Sequence, residues 1–110
     1  MLELAFESIK LRTICEGPTE AEAEFGPEVA ESLRHRLADM RAATSIHDLL
    51  AGQPHALEPT ELQQMAVALD HGYRLIFCAN HVNNPKAESG RVDWKRVSRI
   101  KIMRIERDHD

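Results

Sequence analysis

The residues of this chain with the most reactive side chains are its histidines and cysteines. There are six histidines: His35, His47, His55, His71, His81 and His109. They show no HxxxH spacing and no tight grouping with Cys15 or Cys78, so the sequence predicts no metal site. Neither thiol has an activating partner nearby in sequence, and no glycine-rich phosphate loop or nucleophile elbow is present. We therefore expect neither a metal nor an organic cofactor.

Basic side chains are concentrated in the last third of the chain. Residues 1–72 contain 5 Lys/Arg and 13 Asp/Glu, whereas residues 73–110 contain 9 and 5, although the whole chain carries a net charge of −4. Arg99 and Lys101 alternate with Ile100 and Ile102, which predicts one basic and one apolar face of a strand. Such a basic face is suited to contact phosphates. The alternative, an ordinary solvated surface, stays open from the sequence alone.

The size and composition of the chain indicate a single ordinary domain. A chain of 110 residues with 43% hydrophobic and 29% charged residues can form one core, and we assign residues 1–110 to one domain. No apolar run reaches the roughly 18 residues that a membrane span needs, and the first residues do not have the pattern of a signal peptide. Two isolated cysteines are typical of reduced thiols, so we predict a cytoplasmic protein without a structural disulfide.

The first 26 residues predict one strand followed by two short helices. Residues 2–6 alternate between apolar and other residues, as in a half-buried strand. Ser8 is a suitable N-cap for a helix that stops at Gly17, where we expect glycine to relieve a left-handed turn before the proline blocks continuation. Thr19 and Glu22 have the spacing of a capping box, which predicts a second helix ending near residue 26.

The next segment contains the clearest helical pattern in the sequence. The helix should begin at Pro27, because proline suits a first turn, and it should end near Ala43. Its apolar residues recur at spacings of three and four: Val29, Leu33, Leu37 and Met40. This spacing predicts one face packed on a core. A short turn through residues 45–50 follows, and residues 52–62 have loop composition.

The second half of the chain changes to the alternation of strands. Residues 64–69 and 73–79 predict a hairpin whose turn is residues 70–72. Residues 80–94 have loop composition, and residues 97–106 predict a last strand whose alternation slips near its end, as a β-bulge would cause. Helices packed on one face of a mostly antiparallel sheet make this an α+β protein.

Two segments of the sequence carry a resemblance to a known family. Residues 64–77 (QMAVALDHGYRLIF) and residues 104–109 (RIERDH) resemble the HigB branch of the RelE/ParE superfamily, the toxins of bacterial type II toxin–antitoxin systems. The resemblance implies a fold in which an N-terminal strand and a helical hairpin pack on a mostly antiparallel sheet. It also implies a cytoplasmic protein whose partner is a cognate helix-turn-helix antitoxin.

The family's activity, cleavage of messenger RNA on the ribosome, gives roles to several residues of this chain by resemblance. Cleaving RNA through its 2′-hydroxyl needs a base, an acid and a cation for the phosphate charge. His109 matches the acid or the base, and Arg74 matches the cation. Asp108 would either orient the imidazole or favour its charged form. Tyr73 would support the site or belong to the core, while Arg99 and Lys101 would bind RNA.

The chain also departs from the family pattern. Ala68 stands where a basic residue is common in the first hairpin strand, and Glu58 lies in the preceding loop, where family members carry a lysine. These differences remove phosphate-binding charge, so RNA affinity should fall. The alternative function is therefore a non-catalytic binding protein of the same fold. It would be either a ParE-like gyrase inhibitor or a degenerate toxin that binds only its antitoxin.

Overall fold

A computed structural model describes residues 1–49, 54–57 and 63–107. The helices in these residues are α1 (Ile9–Glu16), α2 (Pro18–Phe25) and α3 (Pro27–Ala42), and the strands are β1 (Glu3–Phe6), β2 (His55–Ala56), β3 (Met65–Ala68), β4 (Tyr73–Ala79) and β5 (Arg99–Arg107). The strands form one sheet in the order β1-β5-β4-β3-β2. β1 is parallel to β5, and the other pairs are antiparallel. The α+β architecture is therefore as expected.

The start of the helical region differs in detail from the expectation. Ser8 caps α1, because its hydroxyl oxygen accepts from the Leu11 amide at 3.0 Å. Gly17, however, has an extended conformation with φ −103°, so the predicted left-handed turn is wrong. α2 begins at Pro18, with Gly17 as N-cap and no side-chain cap, which makes the predicted capping box at Thr19 and Glu22 wrong as well. The proline starts the second helix one residue earlier than Thr19 can cap it.

The core lies between the helices and one face of the sheet. All four apolar residues of the predicted stripe on α3 are buried, from Val29 to Met40. They join Leu75 and Phe77 of β4 and Ile100 and Ile102 of β5 in one hydrophobic cluster. A second contact comes from Ser32, whose hydroxyl accepts from the Asp70 amide at 3.1 Å. α3 thereby holds both the sheet and the turn between β3 and β4.

The other face of the sheet bears no helix in the described residues, and we call it the open face. Successive side chains of a strand point to opposite sides, so Arg74, Ile76 and Cys78 of β4 lie on the open face.

The sheet extends to β2, which lies inside the segment predicted as loop, so that part of the loop prediction is wrong. A strand of two residues is too short to show a periodic pattern.

A bulge in β5 determines which of its residues reach the open face. Phe77 pairs with Ile102 and Ile76 pairs with Arg104, so Met103 is an extra residue without a partner. The predicted bulge is confirmed. Because of it, Arg104 and Glu106 lie on the same face as Arg99 and Lys101, although Arg104 is three positions after Lys101, an offset that would place it on the other face of a regular strand.

The connection from β4 to β5 is held by hydrogen bonds. The Arg96 guanidinium donates to the carbonyl of Lys86 at 2.7 Å and to the Asp93 carboxylate at 2.8 Å. The Trp94 ring meets Phe77 edge to face, with ring centroids 5.9 Å apart, which packs the end of the connection against the core.

Within the part of the chain described here, no helix combines the length and the apolar composition needed to cross a bilayer.

Candidate functional site on the open face of the sheet

The candidate site is centred on Arg74 and Glu106, which face each other across β4 and β5. The two residues are register partners, so their side chains start from adjacent points of the open face. The Arg74 guanidinium donates from Nε at 2.8 Å and from Nη2 at 2.5 Å, both to Oε2 of Glu106. Their side chains are 22% and 30% exposed, so water screens this ion pair only partly.

A second arginine binds the other oxygen of the same carboxylate. Nε of Arg104 donates to Oε1 of Glu106 at 2.7 Å. Each carboxylate oxygen therefore accepts hydrogen bonds from a different guanidinium. Nη1 of Arg104 also donates to the side-chain oxygen of Gln64 at 3.4 Å, and Gln64 is buried. Glu106 is thus a bridge between two cations, and Gln64 helps to position one of them.

The hydrogen bonds to Glu106 change its acidity. The bond from Arg104, and then the bond from Arg74, hold the pKa of Glu106 below its ordinary value, against the opposing effect of partial burial. The carboxylate is therefore fully ionised at neutral pH. A base with a lowered pKa accepts protons poorly, so in this arrangement Glu106 serves as a counter-ion rather than as a general base.

The floor beneath the two arginines is apolar. Ile76 and Ala66 are fully buried, yet they lie on the open face and outside the main hydrophobic cluster. Ala68 is the register partner of Arg74 on its other side, and it is exposed. A basic side chain at this position, where the resemblance described above implies one, would lie directly beside Arg74, and alanine supplies no charge there.

Arg99 and Lys101 lie on the same face, at the start of β5. Each is paired with a glutamate: Arg99 Nε lies 3.3 Å from an oxygen of Glu3, the first residue of β1, and Lys101 Nζ lies 3.5 Å from an oxygen of Glu7, just after β1. The carboxylates of these pairs are 72% and 50% exposed, so both pairs are weak and readily exchanged. The structure thus brings the two predicted RNA-binding cations to the face that bears Arg74.

Tyr73 points away from this face. Its ring meets Phe25 of α2 edge to face, with centroids 5.2 Å apart, and the guanidinium carbon of Arg107 lies 4.8 Å from its centroid on the same side. Tyr73 is partly buried against the core cluster. The structure therefore does not bring Tyr73 together with Arg74, and the core role considered for it agrees with these contacts.

Two of the predicted catalytic residues, Asp108 and His109, lie outside the described residues, and so does Glu58. β5 ends at Arg107, directly before them, and Glu106 is two residues before Asp108. The chain therefore runs from the two-arginine site into the predicted Asp108-His109 pair.

The two cysteines of the chain lie in surroundings that raise the pKa of their thiols. Cys78 lies on the open face beside Lys101, and its partial burial raises the pKa of its thiol, which makes it a poor nucleophile. Burial likewise raises the pKa of Cys15, to about 12, and both cysteines are free thiols. In the described residues, no group of three or more His, Cys, Asp or Glu side chains is placed to bind a metal ion.

Sequence reasoning missed Arg104, Glu106 and Gln64. A signal for the first two exists, since a bulge near Met103 puts them on the face of Arg99 and Lys101. The pairing of Glu106 with Arg74 depends on the register of β4 against β5, however. A long connection joins these strands, so no short turn fixes their register.

Comparisons with known proteins bear on the fold. No protein-family model matches the chain, and no curated protein matches it at a significant level. Among solved structures, the chain is similar to a chain of the YoeB-YefM complex from Staphylococcus aureus, with a TM-score of 0.58 over 99% of both chains. The sequence identity is 12%, so the likeness concerns the fold. The fold of this chain is therefore shared with a chain of that complex.

Proposed function

We propose that this chain is the toxin of a type II toxin–antitoxin system and acts as a HigB-like, ribosome-dependent messenger RNA endoribonuclease. The observation that carries the proposal is the placement of Arg74 on the open face of a RelE/ParE-type sheet, beside further cations. Its partners would be a cognate helix-turn-helix antitoxin, the ribosome and messenger RNA. We place the activity in a single cytoplasmic domain that needs no metal or cofactor.

The proposed reaction cleaves the RNA through its own 2′-hydroxyl, and His109 supplies one of the two proton transfers that it needs. The 2′-oxygen attacks the adjacent phosphorus after losing its proton to a base, and the bond from phosphorus to the 5′-oxygen breaks as that oxygen gains a proton from an acid. His109 is the proposed acid or base, and Asp108 would orient it or favour its charged form. Arg74 would stabilise the phosphate charge, while Arg99 and Lys101 would hold the strand.

A specific observation supports a second candidate function. Arg74, Arg99, Lys101 and Arg104 each have a carboxylate partner in the folded chain. Paired cations attract phosphate less strongly than unpaired ones. The second candidate is therefore a non-catalytic protein of this fold, either a ParE-like gyrase inhibitor or a degenerate toxin that binds only its antitoxin. A shared fold does not decide between these functions, because activity resides in the site.

Induced expression in a bacterium separates the candidates. Growth and the integrity of translated messenger RNA are followed for the wild type, His109→Ala and a surface control, His35→Ala. His35 is exposed on α3, which packs on the sheet face opposite Arg74, so its loss should change nothing. The proposed nuclease arrests growth and cuts translated RNA in the wild type and the control, but not in His109→Ala.

Each alternative gives a different result in the same experiment. Growth arrest with intact RNA in all three strains would contradict the nuclease and favour gyrase inhibition, which DNA supercoiling then tests. Normal growth in all three strains would contradict a toxin and favour the degenerate binding protein. Co-expression of a helix-turn-helix protein encoded beside this chain should restore growth if it is the antitoxin.

A further inference from the structure

Glu106 occupies a position that an external anion could take. Its two oxygens accept hydrogen bonds from different guanidiniums, Oε2 from Arg74 and Oε1 from Arg104. A carboxylate and a phosphodiester both present two oxygens that share one negative charge, and the planar fork of arginine binds either of them. The folded chain therefore already contains an oxyanion in a two-arginine site.

The surroundings favour ligand exchange at this position. The site rests on the fully buried Ile76 and Ala66, and an apolar floor strengthens charge interactions above it. Within the described residues, the Glu106 carboxylate accepts hydrogen bonds from the side chains of Arg74 and Arg104. The Glu106 side chain is 30% exposed, so it can turn towards solvent. Arg104 keeps a further hydrogen bond to the buried Gln64, which would hold its guanidinium in place when the carboxylate leaves.

We propose that Arg74 and Arg104 form a binding site for one phosphodiester of a single-stranded polynucleotide, and that Glu106 is an internal ligand that this phosphate must displace. The inference rests on the proposed function and deepens it, because it names a contact of the open face with nucleic acid. It assigns Arg104 to binding and makes Glu106 a built-in competitor. A strand that reaches the site must replace the carboxylate on both guanidiniums.

The row of cations on β5 favours a polynucleotide over an acidic peptide. Arg99, Lys101 and Arg104 lie on one face, at steps of roughly 6 to 7 Å between alternate strand residues, with the bulge between the last two. One bound carboxylate would gain only the contacts that Glu106 already makes, so a tighter ligand must present a row of anions along the strand. A strand of phosphates also reaches Lys101 and Arg99, whose carboxylate partners are largely exposed.

Removal of the internal carboxylate should therefore tighten binding. Binding of a fluorescein-labelled single-stranded RNA is followed by anisotropy between about 50 and 200 mM salt. Glu106→Gln keeps the shape of the side chain, and we expect it to bind the RNA about five- to tenfold more tightly than the wild type. The plot of log affinity against log salt should become steeper by about 0.7 for each phosphate gained.

Glu7→Gln is the matched control. It makes the same change of charge on the same face, but it releases Lys101 rather than the two arginines. We expect its gain in affinity to be at most about twofold, because the lost pair is exposed. The double variant Glu106→Gln/Arg104→Gln should return to the affinity of the wild type. Glu106→Asp, too short to bridge both guanidiniums, gives a second variant with unchanged charge and should show a smaller gain.

Several results would overturn the inference. If Glu106→Gln and Glu7→Gln raised the affinity for RNA equally, the effect would be one of net charge alone. If the double variant Glu106→Gln/Arg104→Gln kept the higher affinity, Arg104 would not belong to the site. A single-stranded DNA of the same sequence should show the same gain, because the site contacts phosphate rather than the 2′-hydroxyl. A gain for labelled poly-glutamate but not for RNA would identify a protein ligand instead.

Failure of this inference and failure of the proposed function are distinguishable. The binding experiment uses purified protein and needs neither ribosomes nor cleavage, whereas the growth experiment measures toxicity directly. If the chain is toxic but Glu106→Gln does not raise the affinity for RNA, the inference is rejected and the proposed function stands. If Glu106→Gln raises the affinity but the chain is not toxic, the proposed function is rejected and the inference stands.

Discussion

At the scale of single residues, the bridge from Glu106 to two arginines is the feature that most affects charge on the open face. Its lowered pKa shows that the folded state favours the ionised carboxylate, chiefly through Arg104. The same interaction contributes to stability, because the unfolded chain lacks it. The stability that this ion pair contributes, and its dependence on pH, can both be measured on the variant Glu106→Gln.

The stability due to Glu106 should disappear in acid. Its pKa is lower in the folded than in the unfolded chain, so its contribution is present above the ordinary carboxylate pKa and is lost as the pH falls through the folded value. We expect Glu106→Gln to lower the free energy of unfolding by about 0.5 to 1 kcal/mol at neutral pH, after allowance for screening. Urea unfolding at neutral pH and near pH 3 measures this difference; an equal difference at both pH values would contradict it.

At the scale of elements, the bulge in β5 determines the composition of the open face. Deletion of Met103 should restore a regular ladder, because Ile102 and Arg104 then alternate without the extra residue. We expect this variant to fold and to keep the pair of Arg74 and Glu106. Deletion of Ile105 is the control, since it turns Glu106 towards the core and should abolish cooperative unfolding.

Circular dichroism and urea unfolding of the two deletion variants test this account. Cooperative unfolding of the Met103 deletion together with a disordered Ile105 deletion is the expected pair of results. Failure of both deletions, or of the Met103 deletion alone, would show that the bulge is needed for folding rather than merely tolerated.

The long helix α3 provides the second prediction at this scale. Leu33 is fully buried against the sheet, so Leu33→Ala should cost about 2 to 5 kcal/mol of the free energy of unfolding. The neighbouring Arg34 is exposed, and Arg34→Ala should cost no more than about 0.5 kcal/mol. Urea unfolding of both variants measures the contrast. Equal losses would mean that α3 does not cover the core as described.

Elements with a strong local pattern could be predicted from the sequence. The stripe on α3, the turn at residues 70–72 and the slip in β5 all have signals within a few residues. The parallel pairing of β1 with β5 and the two-residue strand β2 have no such signal. They depend on contacts between residues that are distant in sequence.

The same distinction applies to the site. Arg74 could be identified through the resemblance of residues 64–77 to a known family, and Arg99 and Lys101 from their alternation along β5. Their carboxylate partners could not, because Glu3, Glu7 and Glu106 meet them only through pairing between strands. The sequence therefore indicated a more strongly basic face than the folded chain presents.

At the scale of the whole molecule, the distribution of charge limits how tightly the chain can bind nucleic acid. The net charge is −4, and in the described residues three glutamates, Glu3, Glu7 and Glu106, form ion pairs with cations of the open face. Non-specific affinity for RNA depends on neutralised phosphates and falls steeply with salt. A toxin with this surface would depend on a defined site more than on general attraction, and Arg74 is the centre of that site.

Cleavage of translated messenger RNA in a reconstituted translation reaction tests the central claim most directly. End-labelled RNA is incubated with the purified chain, with or without ribosomes, and Arg74→Gln is compared with the exposed control Arg34→Gln. The account predicts cuts only in translated RNA, and a rate lower by about 100-fold or more for Arg74→Gln, because that variant loses the charge that stabilises the transition state. Intact RNA with wild-type chain and active ribosomes, or equal cleavage by both variants, would contradict it.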